Sequence, residues 1–328
     1  LGPHQRWGCE QLQLNPRGGR IVLGANRGSG KSVWAKFGIP LATIALGTHK
    51  FPLIIDTKQT EGEASLNQIR DELESGDLAK RWPNLRFVPR SRSTRKHKMD
   101  TSREIQLEGG WIVAVGAQAR IRGIRRRMAD GSMIRPDLAV ADDLEDERSA
   151  RSNFQTNQLE EWVFSSVSGL GTAERLITIM LIGTTLSVDS LMNRALKNRG
   201  RFASWTSKRF PIMEAVSDQM TGGRLDRLIW PERYDMNYVR SLLDPKSPNF
   251  VGYLTFSREY LLDPRVISEA LWTEALLGKA GEYKPIPIDP KTGKPNRRWF
   301  KSIVVAVDPS WGTKGDLCGI VVAGLGPD

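Results

Sequence analysis

The stretch ANRGSGKS at residues 25–32 constrains this chain more than any other. It follows the apolar run Ile21, Val22 and Leu23, and the residues after it, 33–46, carry a helical pattern. A strand, a glycine-rich turn and a helix at that spacing make a phosphate-binding loop, with Ala25 where the first glycine usually stands. In such a loop the backbone N–H groups of Gly28, Ser29 and Gly30 point at a phosphate. The following helix presents its positive end, Lys31 bridges phosphates and the Ser32 hydroxyl ligates Mg²⁺. The expected ligand is ATP with Mg²⁺; the bland alternative is a glycine-rich turn that happens to end in Gly-Lys-Ser.

A phosphate loop needs a second strand that delivers carboxylates, and PDLAVADDLEDE at residues 136–147 has that form. The apolar residues 138–141 read as a buried parallel strand with Asp142 at its C-terminal end, where it can hold Mg²⁺. A further carboxylate should polarise the attacking water. Asp143 ranks first for this role and Glu145 second, with Glu147 as a longer-reaching alternative. An acidic solvated loop after a core strand is the competing reading.

Between and beyond these motifs, strand-like and helix-like segments alternate, as an α/β fold requires. Residues 51–56 read as a strand, 62–80 as one amphipathic helix closed before Pro83, and 103–108 with 111–116 as a hairpin around Gly109 and Gly110. Residues 153–168 look helical, and 175–183 form another core strand that ends at Thr184 and Thr185, a polar pair placed to sense a γ-phosphate. From 186 to about 275 the pattern is more helical, with expected helices at 187–199, 235–243 and 250–262.

The net charge of +11 makes a polyanion, nucleic acid first, the expected macromolecular partner. Cys9 and Cys318 have no metal-ligand spacing, and His4, His49 and His97 form no cluster with them, which argues against zinc or thiol chemistry. No apolar run approaches the roughly 18 residues of a membrane span, so no membrane association is expected.

Taken in order, several features resemble the large terminase subunit of tailed bacteriophages, the ATP-driven motor and nuclease that packages DNA into a procapsid. They are PHQ at 3–5, ANRGSGKS at 25–32, IRGIR at 121–125 before RPDL at 135–138, and the acidic run. IGTT at 182–185, WPER at 230–233 and VAVDP at 305–309 complete the set. The resemblance implies a P-loop NTPase core of the RecA-like (ASCE) class at 1–185 and a helical lid subdomain at 186–277. It also implies that 301–328 begin a ribonuclease-H-like nuclease domain. The Pro-, Gly- and Lys-rich stretch 278–300 reads as a linker between them.

The same resemblance places Arg27 against phosphate, Gln5 near the adenine edge, and Thr184 with Thr185 as the motif coupling hydrolysis to movement. Chemically, a guanidinium near the γ-phosphate neutralises charge developed during transfer; the alternative is an exposed loop arginine. The basic run 120–127, with Arg122, Arg125 and Arg126, has three readings: contact with DNA phosphates, an arginine finger reaching a neighbour's ATP site, or a solvated loop turning at Gly123. A second basic group, 90–98, reads as a loop that touches DNA or is disordered.

Asp308 matches the first ligand of the two-metal nuclease site, while Asp316 reads as a loop residue. Because the sequence stops before the family's other metal carboxylates, no nuclease activity is expected of these residues alone. The implied partners are double-stranded DNA, further copies of the chain in a ring, the portal protein and a small terminase subunit, in the host cell cytoplasm. The alternatives kept beside the motor are another RecA-like helicase or translocase and a nucleotide-gated DNA-binding scaffold with little turnover.

Overall fold

The computed structural model describes residues 1–88, 102–172, 174–217, 224–264, 291, 302–308 and 319–325; for 215–217, 224–226 and the last two segments this means the backbone. The chain divides into two compact units, Leu1–Glu269 and Ala270–Asp328.

In the first unit the strands of the main sheet are β1 (Arg20–Ala25), β2 (Pro52–Asp56), β3 (Glu104–Leu107) and β4 (Gly110–Gly116). After two short paired strands, β5 (Arg126–Arg127) and β6 (Met133–Ile134), the sheet resumes with β7 (Leu138–Asp142), β8 (Thr178–Gly183) and β9 (Thr206–Phe210). The order across the sheet is β3-β4-β2-β7-β8-β1-β9. Only β3 runs antiparallel to its neighbour, in the expected hairpin with β4. The parallel strands are apolar along their length because helices cover both faces, leaving neither side wet. Successive residues of each strand therefore feed opposite layers. Val22, Ala139, Ala141, Ile179 and Leu181 face a layer with Leu159, Trp162, Leu191 and Leu196. Ile21, Leu23, Val140, Met180 and Ile182 face the other side with Trp34 and Ile39.

Helix α1 (Pro3–Leu14) packs on this second side. The long helical segment after the glycine-rich loop runs as α2 (Lys31–Val33), a widened π turn (Trp34–Gly38) and α3 (Ile39–Ala45). Pro40 explains the widening: with no N–H it cannot bond to the carbonyl four residues back, and the ladder slips by one residue. The expected helix at 62–80 is instead two, α4 (Gln59–Glu74) and α5 (Asp77–Arg81). Gly76, at φ 74°, breaks it by adopting the left-handed conformation that residues with a Cβ avoid. Helices α6 (Asn153–Trp162) and α7 (Leu191–Leu196) cover the first side, and α6 continues into a π turn at Val163–Val167.

The region from 186 is only partly helical: helical segments fall within the expected 187–199, 235–243 and 250–262, but three strands lie between them. Its first part belongs to the sheet: α7 packs on β1, and β9 pairs in parallel with β1 from Ile21↔Thr206 to Ala25↔Phe210. The exposed Thr206, Lys208 and polar neighbours hid this strand, because an edge strand needs only one apolar side. A hairpin of β10 (Met213–Ser217) and β11 (Arg224–Leu228) follows, then α8 (Met236–Leu243), α9 (Tyr253–Thr255) and a π turn (Phe256–Tyr260). These last elements share their own small core of Ile212, Tyr234, Val239, Leu242, Phe256 and Tyr260.

In the second unit β12 (Ser302–Asp308) and β13 (Gly319–Leu325) pair antiparallel, Asp308 opposite Gly319. The Asp308 side chain, Asp316, the basic group 90–98 and the linker 278–300 apart from Lys291 lie outside the described residues. Among the described residues no helix is long and apolar enough to cross a membrane.

Candidate active site at the carboxyl edge of the sheet

The loop 25–32 leaves the C-terminal end of β1 and the acidic run leaves that of β7, with β8 between them. In a parallel sheet this is the edge where ligands bind. Gly28 and Gly30 both take left-handed backbone, φ 78° and 79°, and a Cβ on Gly30 would meet nothing within 4 Å. Their role is therefore conformational: they curl the loop so that Lys31 begins the helix with its side chain turned back under it. Lys31 is buried, 8% exposed, and its Nζ lies 3.2 Å from Asp143 Oδ2. The two motifs that the sequence singled out separately thus meet in one ion pair.

Asp143 also adopts left-handed backbone, φ 41°, a region in which Asp is among the more tolerated residues with a Cβ. Its N–H donates to Ile182 O, keeping the β7–β8 ladder, while its Oδ1 accepts the Thr184 N–H at 3.1 Å. Asp143 therefore ties Lys31 to the polar end of β8. Thr184 is 9% exposed and Thr185 fully buried, its hydroxyl donating to Arg258 O at 2.9 Å.

Asp142 ends β7 at 2% exposure, and its Oδ1 is a buried oxygen with no hydrogen-bond partner. Burial and the charge of Asp143 push its carboxyl up to about 6, against the pull of Lys31, Lys36 and the Ser32 hydroxyl. The buried Ser29 hydroxyl has no partner either. An orphaned carboxylate oxygen beside a serine and a lysine is a donor set that suits Mg²⁺ carrying a phosphate: hard oxygens, few protein ligands, the remainder from water and phosphate. Among the described residues no group of three or more His, Cys, Asp or Glu could hold a metal by itself.

Several expected residues stand elsewhere. Glu145 is 6% exposed and faces inward: Oε1 accepts the Thr156 hydroxyl at 2.8 Å and Oε2 the Leu191 N–H at 2.6 Å. It caps the first turn of α7, satisfying an N–H that the helix cannot. Burial pushes its carboxyl up, opposed by these hydrogen bonds. The expectation that Glu145 activates water is corrected: both its oxygens are committed to the interior. Glu147 is exposed and sits 3.8 Å from Arg258.

Arg27 does not point into the loop. Its guanidinium pairs with Glu259 Oε2 at 2.9 Å, and its backbone N–H donates to Glu259 O. Gln5 caps its own helix, Oε1 accepting the Gly2 N–H at 2.8 Å. Arg126 is corrected as a DNA or neighbour contact: its Nε and Nη2 bind Glu104 Oε2 at 2.8 and 2.6 Å, and its guanidinium lies 5.8 Å from the Trp111 ring centre. A buried carboxylate holds it as an internal counter-ion. Arg122 and Arg125 are exposed on either side of the turn at Gly123 (φ 79°).

Sequence reading missed four contacts around the loop. Arg233 donates from Nε and Nη2 to Gly28 O at 3.1 and 2.7 Å, and Tyr234 OH accepts from Asn26 Nδ2 at 3.1 Å. Glu259 holds Arg27, and Lys36 bridges Asp56 and Asp142. The WPER stretch was legible as a marker but its partner was not; the Lys36 position carried a weak signal, one helical turn beyond Ser32. No protein-family model matches the chain, and no curated protein matches it.

Proposed function

We propose that the chain binds ATP with Mg²⁺ at residues 25–32 and hydrolyses it, as the motor subunit of a terminase-like machine that moves double-stranded DNA. The observation that carries the nucleotide site is the 3.2 Å Lys31–Asp143 contact beside the unpartnered Oδ1 of Asp142, at the carboxyl edge of a parallel sheet. Loop N–H groups and Lys31 hold the phosphates, and Ser32 with Asp142 holds the metal. Asp143, released from Lys31 by phosphate, is left to orient water. Mg²⁺, when bound, supplies neutralisation of charge developing on the phosphates. The strand order, with β8 inserted between the loop strand and the carboxylate strand, favours the RecA-like form of this reading.

The motor reading rests on the resemblance to large terminases and on one structural support. The segment 256–260 touches the loop through Glu259 and the end of β8 through Arg258. A change at the phosphates thereby has a short path into the small outer core. Arg122 and Arg125 are the proposed DNA contacts, Asp308 the proposed nuclease ligand, and portal protein, small subunit and ring neighbours the proposed partners in the host cytoplasm.

The test is steady-state ATP hydrolysis by wild type and Lys31→Ala, with and without duplex DNA, beside a nucleotide-binding titration. Lys31-dependent turnover stimulated by duplex DNA is expected. Absence of nucleotide binding by the wild type would remove the site, and turnover indifferent to DNA would remove the motor.

A further inference from the structure

The sheet sets two buried carboxylates side by side at its carboxyl edge. Strands β2 and β7 pair in parallel with Ile55 opposite Ala141, so the residues that follow, Asp56 and Asp142, leave the sheet together. They are 3% and 2% exposed. Two anions so placed repel strongly in a medium that screens poorly, and one cation lies between them. Lys36 Nζ donates to Asp56 Oδ2 at 2.8 Å and stands 3.6 Å from Asp142 Oδ2. The ammonium belongs to the helical segment that carries Ser32 and reaches the carboxylates from one turn farther on. A cavity of about 340 Å³, bordered by Ser32, Lys36 and Glu61, opens beside it.

The two distances are unequal, and the inequality has a consequence. Lys36 sits closer to Asp56 Oδ2 than to Asp142 Oδ2, and the other Asp142 oxygen, Oδ1, has no partner at all. An ammonium seated fully on Asp142 would compete with any divalent cation for that carboxylate, both through charge repulsion and by occupying its lone pairs. We infer that Asp56 and Lys36 are a positioning pair that sets the divalent-cation affinity of Asp142: Asp56 anchors the ammonium and so leaves Asp142 open to the metal. The inference rests on the proposed Mg²⁺–nucleotide site. Neither residue touches the nucleotide in this scheme; both act through Asp142.

The experiment is a titration of Mn²⁺, read by electron paramagnetic resonance as loss of the free-ion signal, with saturating ADP. The proteins are wild type, Asp56→Asn, Lys36→Met and the double variant, with circular dichroism melts to establish folding. Asp56→Asn lets the ammonium fall onto Asp142 and is expected to weaken Mn²⁺ about tenfold or more, the range for groups that orient a ligand from behind. Lys36→Met removes the competitor and is expected to tighten Mn²⁺, and the double variant is expected to follow Lys36→Met. Unchanged affinity in a folded Asp56→Asn, or weaker Mn²⁺ binding in Lys36→Met, overturns the inference. Lys36→Met carries the test by itself if Asp56→Asn does not fold. A wild type with no ADP-dependent Mn²⁺ site would instead remove the nucleotide reading beneath it, an outcome distinct from variants that fail to move a site the wild type possesses.

Discussion

Replacing Glu145 by Ala separates a structural carboxylate from a catalytic one. The side chain accepts two hydrogen bonds, from Thr156 Oγ1 at 2.8 Å and Leu191 N at 2.6 Å, in surroundings that leave it 6% exposed. Truncation strands both donors away from water. Hydrogen bonds to a charged group contribute about 1.5–3 kcal/mol each, and the burial cost that raises the Glu145 carboxyl offsets part of that, so a net loss of about 3 kcal/mol follows. For a unit of this size each kcal/mol moves the melting temperature roughly 2–4 °C, giving a fall of about 6–12 °C. The assay is a pair of measurements: thermal melting by circular dichroism, and ATP hydrolysis well below the lowered transition. We expect a clearly depressed melt with ATP turnover retained within a few-fold, because neither oxygen faces Lys31 or Asp142. A Glu145→Ala protein that melts with the wild type yet has lost hydrolysis by orders of magnitude would refute this reasoning and return the residue to the water-activating role.

Other outcomes follow from the same contacts. Asp143→Asn should fold, since Asn keeps an acceptor for Thr184 N and tolerates the left-handed backbone, but should lose hydrolysis by about 10²-fold or more while retaining ATP binding in a fluorescence titration. Arg126→Ala leaves the buried Glu104 charge unpaired and should destabilise by about 3–5 kcal/mol in urea unfolding. Arg122→Ala with Arg125→Ala should leave the unfolding midpoint unchanged and flatten the salt dependence of duplex DNA binding. Burial, helped by Arg233 and Lys31, pushes the His4 imidazole down to about 4. The unfolded chain therefore binds a proton that the folded chain refuses between pH 6.5 and about 4, and stability falls as pH drops through that window. Asp142, raised to about 6, acts in the opposite sense, costing stability as pH rises from 3.8 towards 6. Comparing melts of wild type and His4→Leu across the window isolates the histidine: the acid side of the profile should flatten in the variant.

The features legible along the chain are local in origin. Residues 20–32 read as strand, loop and helix because the apolar run, the glycines and the lysine–serine pair are contiguous, and positive φ at Gly28 and Gly30 needs no distant partner. The apolar runs at 51–56, 138–141 and 175–183 announced core strands for the same reason. The tertiary structure decided whatever depends on which side of a turn a side chain leaves. Asp143 and Glu145 were both candidates for the same role, ranked first and second, yet the left-handed bend at Asp143 turns its carboxylate to Lys31 while Glu145 turns inward to cap α7. Arg27, Arg125 and Arg126 were equally basic, yet Arg27 found Glu259 and Arg126 found a buried Glu104, contacts separated by 232 and 22 residues. The strand at 206–210 was hidden because its pairing with β1 supplies the order that its own polar sequence does not. The Lys36 ammonium between Asp56 and Asp142 exists only because β2 and β7 are neighbours in the sheet. Charge and hydrogen bonds act over a few ångströms of space, and distance along the chain does not reveal which groups the fold will bring within that range.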